Sequence, residues 1–182
     1  MTDLPLEELN TIRTTMGFLF QEAALYDSLS IEDNVAFPLR RLGRMPAHEQ
    51  DDRVRMLLSF VDMAADADKV PAQISGGMKK RVGLARALAL EPDILLFDEP
   101  TAGLDPITAS EIEELMLKLK KEHHVASVVV THDLRGAKAI ADRLAIIHEG
   151  TIVSEGTFAD LKRSTHPFVS QFLGGEPEPK EA

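Results

Sequence analysis

Apolar positions along this chain follow two periods. Met78, Val82, Ala85 and Ala89 fall at helical spacing and predict a helix that opens at Ser75-Gly76-Gly77 and turns those side chains toward a core. Glu91-Pro92-Asp93 ends it, and Ile94-Leu95-Leu96-Phe97 is a short, wholly apolar run that predicts a strand buried on both faces. A second helix follows over 107–122, with Ile112, Leu115, Met116 and Leu119 as its buried stripe, Asp105 as its N-cap and Pro106 at its first position. Val125 to Val130 is β-branched and apolar, a second buried parallel strand. Helix and strand periods alternating in this way predict an α/β domain around a mainly parallel sheet.

The flanking segments are less regular. Leu4 to Asn10 is acidic and amphipathic, and Ile12 to Phe20 leans toward a strand. Residues 22–73 carry helical spacing broken at Pro38, at Gly43-Arg44-Met45-Pro46 and at Val70-Pro71, with Leu57, Phe60 and Val61 as an apolar face. Ser30 and Asp33 resemble a capping box. Ala137 to Ala141 reads as a helix, and Arg143–His148 with Thr151–Ser154 as a hairpin turning at Glu149-Gly150. Thr157–Lys162 and Phe168–Leu173 read as short helices, with Phe168 and Phe172 placed to pack on a protein surface. Gly174 to Ala182 is a polar, Pro-rich tail expected to be disordered.

Composition narrows the function classes. The 182 residues are 44% hydrophobic and 27% charged, enough for one domain with a core. A formal net charge of −10 argues against a nucleic-acid partner, and the densest basic run, Lys79-Lys80-Arg81, reads as a solvated helix face. There is no Cys, which excludes disulfides and Cys-ligated zinc. The acidic start lacks a signal-peptide layout, and no apolar run approaches the ~20 residues that span a bilayer, so membrane association is expected to go through a partner. His123-His124 lacks the spacing of helical metal ligands.

The candidate chemistry lies at the ends of these elements. Ser75-Gly76-Gly77 offers a hydroxyl and unpaired N–H groups at a positive helix end, which favours a phosphate. Asp98 and Glu99 emerge at the C-terminal edge of a strand, where open α/β sheets place ligands, and two carboxylates there suggest one for a hard cation and one for a water. The stretch Ile74 to Pro106 resembles the ABC-transporter ATPases. Ile74–Met78 is similar to that family's signature motif, Ile94–Asp98 to Walker B, Glu99 to the general base and Ala102–Asp105 to the D-loop. His132, after the second apolar strand, resembles the switch histidine, and Gln21 the glutamine of the Q-loop.

The resemblance implies an ABC ATPase domain of P-loop NTPase-like fold over 1–173, with a helical subdomain at 22–90, sheet core at 91–156 and C-terminal helices at 157–173. It implies ATP and Mg²⁺ as cofactors. Glu99, His132 and Gln21 would be catalytic, Asp98 and Gln21 would serve the metal, and Ser75, Gly76, Gly77 and Asp105 would meet nucleotide across a dimer of ATPase subunits. Transmembrane permease subunits would hold the pair at the inner face of the membrane, on the cytoplasmic side. Residues 21–39, the Met78 of SGGM and 167–174 resemble the ATPases of Mla/Mce-type lipid transporters, which makes phospholipid the expected cargo, with another small solute as the alternative. The sequence has no GxxxxGK[ST] phosphate loop; its nearest approach, Gly150 to Thr157, lacks the Lys. That points to a domain truncated before the Q-loop, and leaves open a non-catalytic module that pairs with an intact ATPase.

Overall fold

The computed structural model describes residues 4–42, 45–123 and 125–174. The predicted tail beyond Gly174, the Gly43-Arg44 break and His124 lie outside the described residues. Two compact units divide the chain, Met1–His132 and Asp133–Ala182. The helical block 22–90 falls in the first, and the hairpin that closes 91–156 in the second.

The first unit opens with helix α1 (Leu6–Thr14) and strand β1 (Met16–Leu19). The strand expected from Ile12 therefore starts four residues later. Three threonines account for the difference, because Thr11, Thr14 and Thr15 each donate a hydroxyl hydrogen bond to a carbonyl three or four residues back and so favour helical backbone. Helices α2 (Ile31–Leu42) and α3 (Ala47–Phe60) follow, then single 3₁₀ turns at Ala64–Asp66 and Pro71–Gln73. Pro38 does not break α2 as expected. It forgoes one main-chain bond, and the buried stripe Ile31, Val35, Ala36 and Leu39 holds the helix together by tertiary packing. At its start Ser30 Oγ accepts from the Asp33 N–H at 3.0 Å.

Helix α4 (Gly76–Leu88), strand β2 (Ile94–Asp98), helix α5 (Pro106–His123) and strand β3 (Ala126–Val130) complete this unit. The sheet order is β1-β2-β3, all parallel, with Leu19 beside Phe97 and Phe97 beside Val129. Helix α4 covers the face that carries Leu19, Leu95 and Phe97, all buried. It lies so close that a Cβ on Gly83 would sit 2.8 Å from Leu19 Cδ1. The other face is open. Phe18 and Phe20 stack there at 4.2 Å between ring centroids, and Val128 and Val130 are 56% and 61% exposed. The two predicted strands thus form and pair in parallel, but β2 is deeply buried on one face, and β3 is an exposed edge strand. Their apolar runs signal strand without saying which face a helix covers.

The second unit holds helix α6 (Leu134–Ile140), the antiparallel pair β4 (Leu144–His148) and β5 (Thr151–Gly156), and helices α7 (Phe158–Lys162) and α8 (Pro167–Gly174). Glu149 and Gly150 turn the hairpin with φ of 47° and 76°, the paired positive values that tight two-residue turns need. Ile146, Leu161 and Val169 form its core. Phe168 stacks between His148 and Phe172, at 3.7 and 5.8 Å.

Candidate functional site

Because β1, β2 and β3 run in parallel, their C-terminal ends deliver Gln21, Asp98-Glu99 and Thr131-His132 to one edge of the sheet. Glu99 is the centre of that edge. Its N–H donates to the Val130 carbonyl at 2.9 Å, which extends the β2–β3 pairing one residue past β2. Its φ of 46° is a left-handed value that non-glycine residues adopt at a cost of about 1 kcal/mol or more. The carboxylate is gripped from β3: Thr131 Oγ1 donates to Oε2 at 3.0 Å, and the His132 N–H donates to Oε1 at 3.1 Å. His132 Nδ1 lies 2.7 Å from the same oxygen. Burial pushes the Glu99 carboxyl up, but the bonds from His132 and Thr131 and the imidazole charge outweigh it, so the acid titrates below its ordinary value. The His132 side chain is 82% exposed.

Asp98 sits half-buried at the last position of β2, and Gln21 lies exposed two residues beyond β1. No hydrogen bond links either one to Glu99; the strand register alone places them at the same edge. The turn that carries Gln21 is fixed from α4, where the Arg86 guanidinium donates to the carbonyls of Ala23 and Ala24 at 2.7 Å each. Both alanines have positive φ, 58° and 46°.

Ser75, Gly76 and Gly77 are not at the Glu99 carboxylate. They form the start of α4 beside the start of α5, with Gly76 facing Leu104 and Gly77 packed on Thr108. Ser75 is the N-cap, its Oγ accepting from the Met78 N–H at 3.2 Å, which leaves the hydroxyl hydrogen available to a ligand. The first main-chain bond inside this helix runs from Lys79 N–H to Ser75 C=O, so the N–H groups of Gly76 and Gly77 have no intrahelical acceptor. Asp105 caps α5 with bonds from the Ile107 and Thr108 N–H groups at 3.0 and 3.1 Å and from Thr108 Oγ1 at 2.6 Å, which hold its carboxyl below the usual range.

Lys80 overturns an expectation. Instead of a solvated face, Lys79-Lys80-Arg81 contains a cation that is 4% exposed and donates from Nζ to the Glu99 carbonyl at 2.8 Å. Arg81 is also engaged, with Glu111 at 2.6 Å and Asp62 at 3.4 Å. The signal was available: Lys80 shares the i, i+4, i+8 stripe with Leu84 and Leu88, both buried.

The donor set fits the implied cofactors in part. One carboxylate, Asp98, with an amide oxygen from Gln21 is the modest protein contribution that Mg²⁺ takes when phosphate oxygens and waters complete its shell. The exposed Ser75 hydroxyl and orphan N–H groups at α4 suit the phosphate end of a nucleotide. No residue set in the chain supplies a phosphate loop.

Solved ATP-binding cassettes share this fold. One, a dimer in a post-hydrolysis state bound to ADP and Pi, superposes with a TM-score of 0.75 at 36% identity, over 85% of this chain and 68% of that one. The ABC transporter family model matches residues 1–102, more than half of the chain, and the chain belongs to that family. Among curated relatives, the methionine import ATP-binding protein MetN 2 of Bacillus cereus is 40% identical over 178 residues, 95% of this chain and 52% of the relative. A Mycobacterium bovis protein named "Probable ribonucleotide transport ATP-binding protein mkl" is 40% identical over 93% of this chain and 47% of its own length. The chain spans about half the length of the curated relatives it matches. Those names do not support the lipid cargo expected from residues 21–39, 75–78 and 167–174. Among the described residues, no helix is long and apolar enough to cross a membrane.

Proposed function

We propose that this chain contributes the water-polarising half of an ATP-hydrolysing site in an ABC transporter, the reaction ATP + H₂O → ADP + Pi driving passage of a solute. The observation that carries the reading is the Glu99 carboxylate held by Thr131 and His132 at the C-terminal edge of a parallel sheet. A carboxyl kept ionised and aimed in this way orients an attacking water by accepting its hydrogen bond. His132 holds Glu99 in that orientation. Gln21 contributes an amide to the same water, Asp98 contributes a carboxylate to Mg²⁺, and Ser75, Gly76 and Gly77 donate to the γ-phosphate of nucleotide held by a second ATPase subunit. Asp105, at the head of α5, faces that subunit. ATP and Mg²⁺, when bound, supply the electrophilic phosphorus and the neutralisation of its oxygens.

Membrane permease subunits would carry the cargo, at the inner face of the membrane, and cargo identity rests with them. The names of the relatives favour a small solute such as methionine, against the phospholipid suggested by the wording at 21–39, 75–78 and 167–174. Uptake of labelled methionine against transfer of labelled phospholipid, measured with the assembled transporter in vesicles, separates the two. For the reaction itself, Glu99→Gln in that transporter is expected to abolish Mg²⁺-dependent hydrolysis while ATP binding persists. Hydrolysis at the wild-type rate in this variant would falsify the role of Glu99.

A further inference from the structure

We infer that Lys80 is a positioning residue for Glu99 and ties its orientation to the start of helix α4; this rests on the ATPase reading above. An ammonium taken out of water costs several kcal/mol unless its hydrogens find acceptors. Lys80 is nonetheless buried, flanked along α4 by buried Gly77, Val82, Gly83 and Leu84. A methionine would fill that site without the penalty. What the lysine gains is the Glu99 carbonyl at 2.8 Å, within the field of the Glu22, Asp98 and Glu99 carboxylates. That carbonyl also accepts from the Ala102 N–H at 3.2 Å, the bond that turns the chain from Glu99 toward Asp105.

Glu99 is therefore pinned from three directions. Its N–H is held by Val130, its carboxylate by Thr131 and His132, and its carbonyl by Lys80. The first two restraints come from the sheet edge. Lys80 alone among these partners comes from α4, five residues past the Ser75 cap and so about 7.5 Å along the axis. The left-handed φ of Glu99 persists only while its surroundings over-determine it, and Lys80 is the restraint that a movement of α4 would alter. Docking of the Ser75 end against a phosphate thus reaches the Glu99 main chain through the Lys80 side chain.

The test compares Lys80→Met, which keeps the stem and removes the donor, with Lys80→Arg and Lys80→Gln, which keep one. Two readouts are taken: amide hydrogen exchange at Glu99 and Ala102 in the 182-residue chain, and kcat and KM for ATP in the assembled transporter, with Glu99→Gln in parallel. Lys80→Met is expected to speed exchange at those two amides by about 10-fold while α2 and α3 stay protected. It should also lower kcat by about 10- to 100-fold with KM changed less than about 2-fold. Lys80→Arg or Lys80→Gln should recover most of both. Unchanged local exchange in Lys80→Met, or faster exchange throughout the unit that neither donor variant corrects, would overturn the inference. If Glu99→Gln still hydrolyses ATP, the ATPase reading fails, and the exchange data decide Lys80 independently.

Discussion

Gly77 gives the sharpest structural prediction, because its replacement by alanine sets a steric cost against a propensity gain. An added Cβ would lie 2.3 Å from Cγ2 of Thr108, where carbon pairs prefer about 3.5–4.0 Å. Thr108 cannot simply rotate away, since its hydroxyl donates to Asp105 Oδ2 at 2.6 Å and its N–H to Oδ1 at 3.1 Å. Either α4 and α5 separate at their starts by more than an ångström, or the Asp105 cap loosens. Overpacking of this kind costs about 1–3 kcal/mol, while alanine over glycine returns at most about 1 kcal/mol in a helix. A 2.3 Å approach belongs at the upper end of that cost, about 2–3 kcal/mol, so Gly77→Ala should lose about 1–2 kcal/mol, read by urea unfolding at equilibrium. Thr108→Ser deletes the clashing methyl and keeps the hydroxyl bond to Asp105, so in the Gly77→Ala background it should restore about 1 kcal/mol. Additive effects of the two substitutions, or an alanine variant at least as stable as the parent, would refute the packing argument.

Asn34 is fully buried, with Oδ1 accepting from Tyr26 N–H at 2.8 Å and Nδ2 donating to the carbonyls of Tyr26, Leu29 and Ser30. Asn34→Ala should destabilise by about 2–4 kcal/mol in thermal or urea unfolding, since it strands buried main-chain groups; a loss below about 0.5 kcal/mol would show that water replaces the amide. Glu99 titrates lower in the folded chain than its ordinary value of 4.5, so its ionised bonds contribute stability above that pH, and the contribution fades as pH falls through the lowered value. The stability gap between parent and Glu99→Gln should shrink on acidification from about pH 7 to about pH 3, and a gap constant over that range would count against it.

Local patterns reached as far as their physics extends. Asp105 is legible as a cap because capping is decided within three residues, and the hairpin at Glu149-Gly150 because turn chemistry is equally local. Asp98-Glu99 and His132 were legible as strand-end residues because apolar runs mark strands and parallel pairing sends their ends to one edge. What failed was decided at longer range. Nothing in VASVVV tells that Val128 and Val130 face outward, and the helix through Pro38 survives on contacts with other elements. Thr14 and Thr15 mislead for a different reason: their strand preference yields to hydroxyl bonds that only an existing helix offers.

Helix α4 shows why motif reading stops short of mechanism. Its sequence announces the Ser75 end, but the attachments that reach the two site turns are to backbone carbonyls: Lys80 to Glu99, and Arg86 to Ala23 and Ala24 beyond Gln21. A carbonyl has no residue identity, so no side-chain pattern at the receiving end marks the bond. All three receiving residues have positive φ. Such backbone turns its carbonyl away from the regular ladder, and a cation from a neighbouring helix is the group able to satisfy it. The two turns that carry Gln21 and Glu99 are thus held by one rigid helix of 13 residues. Displacing that helix should loosen both turns together, whereas Arg86→Met should free the Gln21 turn and leave the Glu99 carbonyl on Lys80.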